Sequence, residues 1–224
     1  MADRTLLITG ASSGIGAATA RAAAAAGWKV ALAARSADKL DALVREIGRE
    51  RALALTCNVA RQEDVAGAVE AAAEFGPLHA VFANAGLGAT VPGAEGGEVE
   101  NWRQMIDVNV WGLCLTVKAA LPYLRETRGH LLLTGSQAGR SQIKGSVYGA
   151  TKWFVHGFGQ NLAQEMAEWG GRCTVIAPGL VDTPFFDEPK PQGLTAEAVA
   201  RAAIYALEQP PEVNVREVFL TPLD

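Results

Sequence analysis

Short apolar runs alternate along the chain with longer stretches whose apolar positions recur at helical spacing. The first run, Thr5-Leu-Leu-Ile-Thr9, reads as a buried strand, and a glycine-rich turn from Gly10 to Gly16 follows it. An alanine-rich stretch over 17–26 predicts a helix, with Gly27 placed to end it. Val30-Ala-Leu-Ala33 predicts the next strand, and its uninterrupted apolar character implies that both faces are covered. The alternation continues with a helix over 38–47, a strand over 52–57, a helix over 63–75 and a strand over 80–83. A long helix over 98–121, a strand over 131–134, a second long helix over 147–169 and a strand over 173–177 come next. Thr195 caps a late helix with Glu197 in its first turn, and 216–220 is the last strand.

Strands separated by helices rather than by hairpins require right-handed crossovers. The expected fold is therefore a single-domain, Rossmann-like, doubly wound α/β domain, with a mainly parallel sheet flanked by helices over 1–224. Two segments stay irregular, 86–97 after the fourth strand and 178–193 after the sixth. Both lie beyond carboxyl ends of strands, where open parallel sheets hold ligands. The stretch 182–194 reads either as a mobile substrate loop or as an ordered surface loop.

Composition narrows the function. With 49% apolar and 20% charged residues among 224, the chain is neither disordered nor a coiled coil nor a fibre. Its 20 basic and 24 acidic residues give a net charge of -4 without a basic stripe, so nucleic acid is not an expected partner. Cys57, Cys114 and Cys173 match neither a disulfide framework nor a metal site, and they read as small buried thiols. His79, His130 and His156 do not cluster in sequence, so no metal is expected. No signal peptide and no apolar run of membrane-spanning length is read here, which makes a cytoplasmic protein without a membrane partner the expectation.

The turn Thr9-Gly-Ala-Ser-Ser-Gly-Ile-Gly16 carries the first chemistry. Gly10 allows a tight turn, Gly14 the approach of a pyrophosphate, and Gly16 close packing of helix on sheet. Ser12, Ser13 and Ile15 lie between them, at a helix N-terminus whose N–H groups favour an anion. The Gly-Lys-Ser/Thr of a triphosphate loop is missing, so a dinucleotide is expected. After the second strand, Ala33-Ala34-Arg35-Ser36 stands where a carboxylate usually meets a ribose 2'-hydroxyl. Arg35 instead suits a 2'-phosphate, with Ser13 and Ser36 as further donors, and NADP(H) is the expected cofactor. The alternative is a solvated Arg35 with Asp38 on the ribose, although Asp38 falls in the first turn of the next helix.

Tyr148 and Lys152 are four residues apart on one helix face. A phenol near pKa 10 is a poor base at neutrality, and an adjacent ammonium is expected to lower that value so that the tyrosine exchanges a proton with a substrate oxygen. Ser136 lies just past the fifth strand, in reach of the same oxygen. Asn109 sits inside the long preceding helix, where its amide can interrupt the regular hydrogen bonding.

With these motifs the chain resembles the classical short-chain dehydrogenase/reductases over nearly its full length. The resemblance consists of Thr9-Gly10, Gly14-Ile15-Gly16, Asn84-Ala85-Gly86, Asn109, Ser136, Tyr148, Lys152, and Pro178-Gly179 with Thr183. It implies that Tyr148 is the general acid in carbonyl reduction, that Lys152 lowers its pKa and binds the nicotinamide ribose, and that Ser136 orients the carbonyl. It implies that Asn109 holds a water linking Lys152 to solvent. Asn84, Ala85 and Gly86 would shape the cofactor floor, Asn58 and Val59 would lie by the adenine, and Val181 and Thr183 would hold the carboxamide. It also places an arginine such as Arg35 on the 2'-phosphate.

Three departures stand out: Asn58 replaces the usual aspartate, Ala83 replaces a common asparagine, and one residue fewer than usual separates Ser136 from Tyr148. Trp102, Trp111, Trp153 and Phe158 belong either to an ordinary core or to helices paired between subunits, and the resemblance implies a homodimer or homotetramer. The expected activity is NADP(H)-dependent hydride exchange with a small-molecule ketone, aldehyde or secondary alcohol. NAD-linked alcohol oxidation and a non-catalytic dinucleotide-binding scaffold remain the alternatives.

Overall fold

The structure is a computed structural model that describes residues 4–223. Its strands are β1 (Thr5–Thr9), β2 (Lys29–Ala34), β3 (Ala52–Thr56), β4 (Leu78–Ala83), β5 (His130–Thr134), β6 (Arg172–Pro178), β7 (Val181–Asp182), β8 (Leu194–Thr195) and β9 (Glu217–Leu220). The helices are α1 (Gly14–Ala25), α2 (Ala37–Ile47), α3 (Gln62–Phe75), α4 (Val99–Ile106), α5 (Gly112–Thr127), α6 (Val147–Ala167) and α7 (Ala196–Leu207). Seven strands form one sheet in the order β3-β2-β1-β4-β5-β6-β9, and every pairing in it is parallel. The strand order reverses between β1 and β4, which opens a crevice at their carboxyl ends.

The alternation of side chains along each strand divides the core in two. Leu7, Val81, Leu131 and Leu133 face α3, α5 and α6, while Leu6, Ile8, Phe82 and Leu132 face α1, α2 and α7. Between α1 and α7 the core is largely alanine, with Ala20, Ala23, Ala203 and Ala206 wholly buried, so small side chains let these helices lie close together.

Three differences from the sequence reading have physical causes. Helix α1 starts at Gly14, so the end of the glycine turn is itself the first turn of the helix. The long helix does not stop before Pro122. It runs through that residue to Thr127 and ends where Arg128 takes φ 50°. Together α4, a π-helical turn (Asp107–Trp111) and α5 make one helix over Val99–Thr127, whose most apolar window has a mean hydropathy of 1.2. By length and composition this helix is able to cross a bilayer, which the sequence reading did not expect of any segment. Its apolar side packs against α3 and β4.

Candidate active site

The glycine turn is shaped by close approach. Gly10 (φ 66°) and Gly14 (φ 51°) hold left-handed backbone, which favours glycine. A Cβ on Gly16 would stand 2.3 Å from the Gly10 carbonyl oxygen, and one on Gly10 would stand 2.9 Å from Ala85 Cα. The N-terminus of α1 has no acidic residue in its first turn, and Ser13 caps it without a side-chain hydrogen bond. The first-turn N–H groups are thus left without a side-chain cap, and Ile15 anchors the turn to the core. Thr183 closes the other side, with its Cβ 3.2 Å from the position of a Gly14 Cβ.

Arg35 and Ser36 follow β2 directly and are exposed. The Ala11 N–H donates to the Ala33 carbonyl at 3.2 Å, which brings this strand end beside the turn. Arg35 makes no hydrogen bond or ion pair among the described residues. Asp38 lies in the first turn of α2, as its sequence position required. Past β3, Asn58 accepts from the Ala60 N–H through Oδ1 at 3.1 Å, and its N–H donates to Asp64 at 3.0 Å. Val59 lies against Gly112 at the start of α5, where a Cβ would meet it at 2.9 Å.

Asn84 fastens three strand ends. Its Nδ2 donates to the Thr9 carbonyl at 3.0 Å, its Oδ1 accepts from Thr134 Oγ1 at 3.0 Å, and its N–H donates to Thr9 Oγ1 at 3.0 Å. The Ala85 N–H shares Thr9 Oγ1 at 3.1 Å. Gly86 then passes over Asn109 and Lys152, where a Cβ would lie 3.3 Å from Asn109 Oδ1 and 3.7 Å from Lys152 Nζ. Pro178 and Gly179 end β6, with the Gly179 N–H bonded to the Leu220 carbonyl at 2.8 Å. Val181 is buried and pairs with Leu194 in a two-residue ladder that closes the 182–194 loop at its base.

Asn109 lies in the π-helical turn, and its amide is fully used. Oδ1 accepts from the Leu87 N–H at 2.9 Å, while Nδ2 donates to the Leu87 carbonyl at 2.9 Å and to Thr151 Oγ1 at 3.1 Å. The asparagine thus clamps the 86–97 segment to α6. Beside it a cavity of about 10 Å³, close to the size that holds one water, is bordered by Asn109, Thr134 and Lys152.

Lys152 is buried, and Nζ donates to the Thr134 carbonyl at 2.7 Å. Burial pulls its pKa down to about 8. Nζ lies 5.8 Å from the centre of the Tyr148 ring. The Tyr148 phenol is pushed above its ordinary value by burial, and the Ser136 hydroxyl hydrogen-bonded to it acts in the opposite direction. This corrects the expectation that Lys152 depresses the phenol in the protein alone: Ser136 is the neighbour that does so, and desolvation outweighs it. Ser136 Oγ accepts from the Ala138 N–H at 3.1 Å, so its own proton is free to point at the phenol or a substrate oxygen. The shorter loop between Ser136 and Tyr148 does not pull them apart.

Sequence reasoning missed several participants. Thr9, Thr134 and Thr151 orient Asn84, Lys152 and Asn109, although only Thr9 stood inside a recognised motif. Phe185 covers Tyr148, with ring centres 5.8 Å apart, and rests on Gly88, where a Cβ would meet it at 2.8 Å. Its loop is internally bonded, with the Lys190 N–H on Asp182 at 2.8 Å and the Gly193 N–H on the Lys190 carbonyl at 2.7 Å. Burial pushes the Cys57 and Cys173 thiols up to about 11 and about 12, which keeps them protonated at neutrality.

A family model described as short chain dehydrogenase matches residues 4–192. An uncharacterised oxidoreductase of Staphylococcus saprophyticus is 39% identical over 230 residues, covering 99% of this chain and 98% of that protein. Among solved structures, an alcohol dehydrogenase from the archaeon Thermococcus sibiricus complexed with 5-hydroxy-NADP superposes with a TM-score of 0.90 at 33% identity, covering 99% of this chain and 97% of that one. A 3-ketoacyl-(acyl-carrier-protein) reductase from Brucella melitensis complexed with NADH gives a TM-score of 0.90 at 29% identity, covering 98% and 97%.

Proposed function

The chain belongs to the short-chain dehydrogenase family and is a dinucleotide-binding oxidoreductase, and from this premise we propose that it uses NADP(H) to interconvert a ketone or aldehyde with its alcohol. The single observation that carries the cofactor choice is Arg35, an unpaired guanidinium at the end of β2 with the Ser36 hydroxyl beside it. The glycine cradle and the uncapped N-terminus of α1 suit the pyrophosphate, Asn58 and Val59 the adenine, and Val181 and Thr183 the carboxamide. The archaeal alcohol dehydrogenase bound to an NADP derivative supports this reading.

When bound, the cofactor supplies or accepts the hydride. In reduction, Tyr148 delivers its proton to the carbonyl oxygen. Its raised pKa keeps that proton in place at neutrality. Ser136 donates a hydrogen bond to the same oxygen and stabilises the charge that develops there. Lys152, anchored on Thr134, holds a positive charge beneath the phenol and the ribose. The small cavity beside Asn109 and Lys152 suits a water that returns protons from solvent. Phe185 gives the site an apolar wall, suited to a substrate with a hydrophobic skeleton next to its carbonyl. A non-catalytic scaffold would not need Tyr148, Ser136 and Lys152 brought together in this way.

The exposed aromatic residues support assembly into a homo-oligomer. Trp111 and Trp153 are 51% and 52% exposed, so an ordinary intrachain core does not account for them. Phe154 and Ile106 extend the same apolar character on α6 and α4, and a homodimer or homotetramer would bury these residues. The deciding experiment is a paired fluorescence titration with NADPH and NADH at one salt concentration. Tighter binding of NADPH is expected. Equal affinity, or preference for NADH, overturns the phosphate assignment and turns the search toward NAD-linked alcohol oxidation.

A further inference from the structure

His156 lies one helical turn beyond Lys152 and two beyond Tyr148, on the same side of α6. It is buried, and the mechanism above leaves it without a task. Its imidazole fills a slot that exists only because two neighbours are glycine. A Cβ on Gly135 would stand 2.8 Å from His156 Nε2, and one on Gly139 would stand 2.6 Å from His156 Cδ2. Nε2 lies 3.1 Å from the Ser136 carbonyl oxygen and 3.4 Å from the Ser136 nitrogen, so either ring tautomer finds a partner on that residue's backbone.

The other ring nitrogen faces a carboxylate. Nδ1 lies 3.3 Å from a Glu217 oxygen on β9 that has no hydrogen-bond partner among the described residues, and Glu217 also pairs with Arg140 at 3.1 Å. Arg140 immediately follows the 3₁₀ turn (Gln137–Gly139), which Ser136 caps, and its guanidinium stacks 5.1 Å from the Phe219 ring. The two ends of the short 136–140 segment are therefore tied to α6 and β9 through one imidazole and one carboxylate. Strand β5 ends at Thr134, before the segment begins.

We propose that His156 is a positioning residue whose imidazole pegs the 136–140 turn between α6 and β9 and so sets where the Ser136 hydroxyl meets the substrate oxygen. The catalytic half of this statement rests on the role given to Ser136 above. A reacting oxygen tolerates little misplacement, and a shift of about 1 Å costs on the order of a hundredfold in rate. Ala138 and Gly139 also pack on the α6 backbone, where a Gly139 Cβ would stand 2.6 Å from the Lys152 carbonyl oxygen, and the imidazole is the side chain that holds Ser136 itself.

The test combines a double-mutant cycle with amide hydrogen exchange. His156→Ala, Ser136→Ala, the double variant and His156→Gln are compared for kcat on a carbonyl panel and for NADPH affinity. His156→Ala is expected to lower kcat by about tenfold with NADPH binding retained, and by less than about twofold in the Ser136→Ala background. His156→Gln, which returns a polar donor and acceptor to the slot, is expected to recover most of the loss. Peptides spanning 136–140 should exchange faster in His156→Ala and return toward the parent rate in His156→Gln. An equal factor in both backgrounds, loss of turnover that tracks loss of NADPH binding, or unchanged exchange over 136–140 overturns the proposal. A parent chain inactive on every carbonyl would count against the proposed function, while the exchange measurement still decides the peg.

Discussion

The Thr134 carbonyl oxygen accepts the Lys152 ammonium at 2.7 Å, so the end of β5 and the second turn of α6 are joined by a hydrogen bond to a buried charge. That bond fixes the ammonium 5.8 Å from the centre of the Tyr148 ring. The same burial brings the lysine pKa to about 8. The ammonium is therefore present below about pH 8 and is lost as pH rises through that value. The expected result is a kcat/KM profile for reduction that falls on the alkaline side near pH 8, well before the phenol titrates. Lys152→Arg should remove this limb at lower activity. A parent profile flat to pH 10 would refute the assignment.

Tyr148→Phe keeps the ring that packs on Phe185 and removes the proton donor. Turnover should drop by about 10²–10⁴-fold while the NADPH titration changes little. Turnover equal to the parent would sink the acid role.

Arg35→Ala should weaken NADPH by about tenfold to 150-fold, the range of one charge-assisted hydrogen bond, and leave NADH nearly unchanged. Equal losses for both cofactors would show that the guanidinium does not read the phosphate.

Gly16→Ala introduces a methyl group 2.3 Å from the Gly10 carbonyl and 2.8 Å from Asn84 Nδ2. Both neighbours are held by hydrogen bonds, so the turn itself must shift. Loss of dinucleotide affinity and about 1–3 kcal/mol of stability are expected, read by titration and chemical denaturation. Parent-like binding would mean that the cradle is not the phosphate site.

His130 is buried in β5, with Nε2 on Thr174 Oγ1 at 2.7 Å, and burial lowers its pKa to about 3. An unfolded chain takes up this proton as pH falls through its ordinary value of 6.5, whereas the folded chain resists until about 3. Stability from this group is thus complete above pH 6.5 and is lost toward pH 3, at up to about 1.4 kcal/mol per unit. Denaturation across that window should show a shallower fall for His130→Gln than for the parent. Identical slopes would remove His130 as the cause.

The order of strands and helices was legible because each strand is an apolar run and each helix an amphipathic or alanine-rich one. The glycine turn, Tyr148 and Lys152 were legible because their chemistry depends on spacing within one element. What could not be read were contacts between distant elements. The threonines at 134 and 151 look like ordinary strand and helix residues until the fold sets them beside Lys152 and Asn109. His156 gave no signal because its slot is defined by the absence of side chains at 135 and 139. Phe185 lay in a loop without periodicity. The direction of the Tyr148 shift was misjudged because sequence proximity to a lysine says nothing of burial.

The π-helical turn around Asn109 carries a further consequence, for insertions and deletions. Such a turn holds one residue more than an α-turn, and each residue advances a helix by about 100°. The buried faces of α4, with Asn101 and Met105, and of α5, with Leu113, Val117 and Leu124, share one side because the wide turn absorbs that extra residue as a bulge. Met105 and Leu113 stand eight residues apart, and loss of one residue from 107–111 would leave seven, two regular α-turns, with both faces still in phase. A deletion here would therefore cost the bulge and the Asn109 carried on it, and not the packing of the flanking helices.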